Sequence, residues 1–277
     1  MRGRRRSIRI GRRISLGGIC LFLAFSQLSC GIDYFPFISP VPGPRSDLNG
    51  TVFFTLPSTG DEGYGDVEAF TNFVIYYRIY LSDFSVPTNT VDTGSNQQLR
   101  DVNPQLAADF AAIYPWADHS NINVTTSNVH NFFVNTRGFL SIEIEGANIA
   151  GVLGRDSLGQ DMRIDFQDTP GRAPMLNLAG SGYQLRRSQR SERVDFDPLP
   201  NLDGRLPFFN HPALLSRDNR TDAINADVVD KTNIQQQDLQ HSYAIMYIAA
   251  AGLSSTTPPT RVFSQPTFLG IFRLPSP

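Results

Sequence analysis

Residues 72–83 read "NFVIYYRIYLSD". β-Branched and aromatic residues fill both alternating sets of positions, so neither face of a strand built here would suit water. Such a stretch predicts a central strand covered on both sides. "SYAIMYIAAAG" (242–252) has the same two-sided apolar character and "TFLGIFRLP" (267–275) follows it. Around these lie strands with one wet face. "FLSIEIEG" (139–146) sets Leu140, Ile142 and Ile144 against Ser141, Glu143 and Glu145, and "DMRIDFQD" (161–168) alternates through Met162, Ile164 and Phe166. "TVFFTLP" (51–57) is short and β-rich, and the acidic, Gly-rich "STGDEGYGDVE" (58–68) reads as the turn after it.

One helix is expected over about 104–114. Asn103 can cap it, Pro104 suits its first position, Leu106, Phe110 and Ile113 fall on one side, and Pro115 would end it. Residues 84–97, 199–240 and 253–260 are rich in Asn, Asp, Pro, Ser and Thr and read as loops. The fold expected is mainly β.

The chain begins with seven arginines among residues 2–13, then an apolar stretch from Ile14 to Leu28, then Cys30. A basic start, an apolar run too short to span a bilayer and small residues at its end are the pattern of a bacterial secretion signal over 1–29. Without it, 17 basic residues face 26 acidic ones, a net charge of −9. That excludes a general affinity for nucleic acid. Cys20 lies in the apolar run, so Cys30 is left as the lone cysteine and no intrachain disulfide is expected. Two cuts compete: Ala24-Phe25-Ser26 fits the ordinary signal peptidase, and "LSCG" (28–31) offers a second site. Residues 30–49, with Pro36, Pro40, Pro42 and Pro44 and the aromatic Tyr34, Phe35 and Phe37, read as an extended tether. The aromatic rings would rest at a lipid interface or pack on the domain as an edge segment.

Two resemblances arise. "LSCG" resembles the lipobox of bacterial lipoproteins, in the looser form of spirochaetal members: Gln27 stands where Leu is usual and Leu28 follows it. The resemblance implies a diacylglyceryl group, with palmitate, on the Cys30 sulfur and a protein held to the membrane, facing the periplasm or cell surface. "HSYAIMYIAAAGLSS" (241–255) resembles the sixth strand of fibronectin type III domains, "FVIYYRIY" the third and "PTFLGIFRLP" the last. It implies a decorated fibronectin III or immunoglobulin-like β-sandwich over 50–277, with an insertion at about 84–238 that holds the helix. It also implies that Tyr243 makes a tyrosine corner, its hydroxyl bonding nearby backbone. The whole layout is similar to uncharacterised spirochaete-type lipoproteins, which imply no activity.

The search for chemistry is sparse. His119, His130, His211 and His241 form no ligand cluster, and the Asp/Asn-rich stretches 195–204 and 218–230 miss the EF-hand template, so no metal or other cofactor is expected. "QLRRSQRSER" (184–193) gathers Arg186, Arg187, Arg190 and Arg193, a candidate docking patch for an acidic protein partner or lipid head groups, or a solvated hairpin tip. The expectation is a lipid-anchored envelope protein with a binding or structural role and no enzymatic activity. The alternatives are a lipid-tethered envelope glycan hydrolase, for which Glu143 and Glu145 are the tempting carboxylates, and a carrier of an apolar small ligand, with Phe208 and Phe209 at its lip.

Overall fold

A computed structural model describes residues 37–65, 69–117, 129–167, 172–188, 208–210, 227–231, 239–254 and 260–276. The protein is mainly β, built from two antiparallel sheets packed as a sandwich. Its strands are β1 (Arg45–Ser46), β2 (Thr51–Thr55), β3 (Phe70–Ser82), β4 (Leu140–Ser141), β5 (Glu143–Ile144), β6 (Asp161–Asp165), β7 (Met175–Leu178), β8 (Ser181–Arg186), β9 (Val228–Val229), β10 (His241–Leu253), β11 (Arg261–Phe263) and β12 (Thr267–Arg273). One sheet runs β1-β2-β6-β7-β8-β5. The other runs β11-β10-β3-β4, with β12 also on β10 and the short β9 lying parallel to β3.

The two-sided strands behave as their composition demands. β3 and β10 pair from Phe70 and Gly252 at one end to Ser82 and His241 at the other. Phe73, Ile75, Tyr77 and Ile79 of β3, with Ala244, Met246 and Ile248 of β10, face the other sheet and meet Val52, Met162, Ile164 and Leu176. The opposite face carries Val74, Tyr76 and Tyr80 with Tyr243, Ile245 and Tyr247, and is covered by helices. The domain therefore has three layers, two sheets and a helical cover. Two separate apolar interiors stabilise it, each large buried side chain contributing about 1.5–3 kcal/mol.

Among the described residues the cover includes two consecutive helices and the helical segment Val129–Thr136, whose Val129 and Phe133 are buried in the same interior. Asn96–Val102 is capped by the Ser95 side chain, which accepts from the Gln98 N–H. Pro104–Ala117 follows, with the Asn103 side chain accepting from the Gln105 and Leu106 N–H groups. Leu99, Val102, Leu106, Phe110 and Ile113 are buried against the sheet. The sequence pattern predicts only the second helix, and ends it too early: the helical path runs through Pro115 to Ala117. A proline here forfeits one backbone bond in the last turn rather than breaking the middle of the helix.

Three boundaries differ from expectation. "FLSIEIEG" is not one strand: Leu140–Ser141 pairs with β3 while Glu143–Ile144 pairs with β8, so the segment steps from one sheet to the other. The segment 84–238 is not an addition to a finished sandwich, because it supplies four of the six strands of the β1-β2-β6-β7-β8-β5 sheet. The domain also starts before residue 50. Ile38 and Val41 are buried, Ser39 N–H donates to the Glu62 carbonyl, and the Thr267 hydroxyl donates to the Val41 carbonyl. Prolines at alternate positions are compatible with such an edge segment, which needs few ladder bonds. Of the proposed tether aromatics, Phe37 is exposed, while Tyr34 and Phe35 lie outside the described residues.

β12 carries a bulge. Met246 faces Gly270 and Tyr247 faces Phe268, leaving Leu269 as the extra residue. Gly270 sits at φ +147°, and a Cβ there would lie 2.4 Å from the Phe272 ring. The bulge lets Leu269 and Phe272 enter one interior while Phe268 and Ile271 enter the other.

The β7–β8 hairpin closes through Ala179 and Gly180, both with positive φ (51° and 80°). This is the primed two-residue turn that normally takes Asn-Gly. Ala179→Asn is expected to stabilise the protein by about 0.5–1 kcal/mol, since alanine meets a steric cost in the left-handed region that asparagine tolerates better. Urea unfolding checks this: the midpoint should rise at unchanged slope.

Candidate functional site

The β1-β2-β6-β7-β8-β5 sheet buries one face and presents the other. β2 shows the alternation: Val52 and Phe54 point into the core, Phe53 and Thr55 outward. Register places a transverse row on that outer face. Arg45 lies opposite Phe53, Phe53 opposite Arg163, Arg163 opposite Asn177, and Asn177 opposite Gly182. Directly opposed residues share a face, and the Arg163 guanidinium indeed sits 5.2 Å from the Phe53 ring centroid. Arg163 also pairs with Asp165 at 3.1 Å. Next to the row, the Thr55 hydroxyl donates to an Asp161 oxygen at 2.7 Å. The row lines a groove of about 630 Å³ rimmed by Pro42, Gly43 and the Ala179–Gly180 turn. Phe53 is 43% exposed, and the Arg45 and Asn177 side chains have no hydrogen-bond or ion-pair partner among the described residues.

The four-arginine patch needs correction. Arg187 is 2% exposed and is turned into the core, where its Nε donates to Asp227 Oδ2 at 2.8 Å and its Nη2 pairs with Asp227 Oδ1. Tyr77 donates its hydroxyl to the same carboxylate at 2.7 Å and accepts the Ser188 N–H. Burial opposes the Arg187 charge, but the Asp227 carboxylate outweighs it and the guanidinium is held more firmly protonated than usual. Burial, then Asp227, pushes the Tyr77 hydroxyl well up, which keeps it a donor. Arg186, one residue earlier, faces the opposite way and pairs with Glu145 at 2.7 Å. Arg190 and Arg193 lie outside the described residues. Of the four arginines, Arg187 is thus a structural clasp and Arg186 a strand-end ion pair. Arg186 is the last residue of β8, and Arg187 follows it just beyond the strand end.

Glu143 and Glu145 do not face an open cleft as a free pair. Glu145 is taken by Arg186, and Glu143 accepts from the Ser188 hydroxyl at 3.4 Å. Phe208 is fully buried, its ring 4.7 Å from Tyr77 and 6.2 Å from Phe166, so it fills the core instead of edging a cavity.

The helical cover holds a second buried carboxylate. Asp109 receives Arg78 at 2.8 Å, Arg137 at 3.4 Å, the Tyr80 hydroxyl and the Gln105 amide. Tyr76 pairs through its hydroxyl with His130 Nδ1 at 2.9 Å, and burial, then Arg261, lowers the His130 pKa. The "YYRIY" run (76–80) therefore sends polar groups to both sides of the central sheet: Tyr77 to the buried Asp227, Arg78 and Tyr80 to the buried Asp109, and Tyr76 to the half-buried His130. Among the described residues no group of three or more His, Cys, Asp or Glu side chains is placed to hold a metal ion, and no helix is long and apolar enough to cross a membrane. Cys30 lies outside the described residues. Compared with known proteins, the chain matches no family model, no curated sequence and no solved structure.

Proposed function

We propose that this chain is a lipid-anchored binding module of the bacterial cell envelope, with Cys30 as the lipid-bearing mature N-terminus. The observation that carries this reading is the placement of Cys30: a lone mature cysteine, directly after an arginine-led apolar run, in "LSCG".

The sandwich is of the fibronectin type III kind in this proposal. β3, β10 and β12 are neighbours, as the third, sixth and last strands of that family would be. The Tyr243 hydroxyl donates to the Phe84 carbonyl at 2.7 Å and accepts the Val86 N–H at 3.2 Å, which supports a tyrosine-corner role. Here the corner ties β10 to the chain leaving β3, far away in sequence.

Cys30→Ser is the test. Two acyl chains anchor stably where one is marginal, and a domain of net charge −9 has no affinity of its own for anionic lipid. The variant is expected to leave the membrane fraction or to keep its leader. Mass spectrometry of the wild type should show a diacylglyceryl group on an N-terminal Cys30. A mature chain starting at Gln27 with an unmodified thiol overturns the proposal.

A further inference from the structure

We propose that the groove over β1, β2, β6 and β7 binds an acidic saccharide, with Phe53 as the platform for a sugar ring and Arg45 as the partner of the acid group. This deepens the binding-module reading and rests on it for its setting. The backbone groups of β2, β6 and β7 under the groove are committed to the β2–β6 and β6–β7 ladders, so a ligand lying across that floor is met by side chains. The side chains present are those a sugar needs. Arg163 already lies over the Phe53 ring, and the exposed remainder of the ring is left for the C–H side of a pyranose, a contact that excludes water from both. The Asn177 amide, the Thr55 hydroxyl and the Asp161 carboxylate stand around it as donors and acceptors for hydroxyl groups.

Charge selects within that class. Asp165 already engages Arg163, whereas Arg45 has no acidic partner among the described residues. A guanidinium without a counterion beside a ring platform fits a carboxylate, sulfate or phosphate carried on the sugar. The rim leaves room, because a Cβ at Gly43 or Gly180 would meet nothing within 4 Å.

Isothermal titration of the full-length chain in detergent with trigalacturonate, maltotriose and inorganic phosphate decides the matter. Trigalacturonate should bind saturably, and more weakly at high salt. Arg45→Ala and Phe53→Ala should each weaken it by about tenfold or more. Both side chains are exposed, so the melting transition should be unchanged. Gly43→Phe should block the groove from its rim. Maltotriose should bind at least about tenfold more weakly than trigalacturonate and ignore Arg45→Ala. No saturable binding, phosphate binding as tightly as trigalacturonate, or affinity indifferent to both alanine variants overturns the assignment. The titration does not involve Cys30. A Cys30→Ser chain that leaves the membrane fails to touch the groove, and wild type that is lipidated but does not bind trigalacturonate loses the groove alone.

Discussion

Asp227→Ala is expected to lower the free energy of unfolding by about 3–5 kcal/mol, the usual consequence of stranding one member of a buried ion pair. Arg187 would keep its charge in a site it cannot leave, and the Tyr77 hydroxyl would lose its acceptor. Net stability of a domain is only about 5–15 kcal/mol, so the urea midpoint should fall steeply. The companion variant separates charge burial from lost packing. Arg187→Met combined with Asp227→Leu removes both charges and should recover most of the loss, since apolar replacement of a buried pair is often neutral or better. A single variant with an unchanged midpoint would show that the clasp contributes nothing.

Deleting residues 261–277 should abolish cooperative unfolding altogether. The deletion removes β11 and β12, and with them Leu269, Ile271, Phe272 and Leu274, all buried. At about 1.5–3 kcal/mol for each such side chain, the loss matches the whole stability of the domain. It also uncovers a flank of β10, whose residues from Tyr243 to Ile248 pair with β12. Calorimetry should record no sharp transition; a truncated chain that melts like the full one would mean that β12 is dispensable.

The central strands were legible because their composition leaves no alternative: a strand apolar on both faces must be covered twice, and β3 and β10 are. β6 was legible by alternation, and β2 by a short β-rich run. The β7–β8 hairpin was not, because its turn carries Ala179 where asparagine is usual, and its outer positions are short or polar. The helix Asn96–Val102 is too short to show a period. Arg187 was the misleading residue. Four arginines in ten positions look like a surface, and burial of one of them depends on Asp227, forty residues away in the chain. The groove row was equally hidden, since Arg45, Phe53, Arg163 and Asn177 come from four strands and meet only through register.

The β3–β10 ladder has a consequence for the order of events during synthesis. It joins residues 70–82 to residues 241–253, and the strand that seals it, β12, ends at Arg273. Such non-local pairing makes folding slow, because chain closure is paid for before contacts are gained. Neither face of the β3–β10 ladder can be fully closed on a ribosome or at a translocation pore until β12, through Arg273, has emerged. Under the proposal that residues 1–29 lead the chain out of the cytoplasm, such a delay would keep the polypeptide threadable during its passage and postpone compaction until the far side is reached.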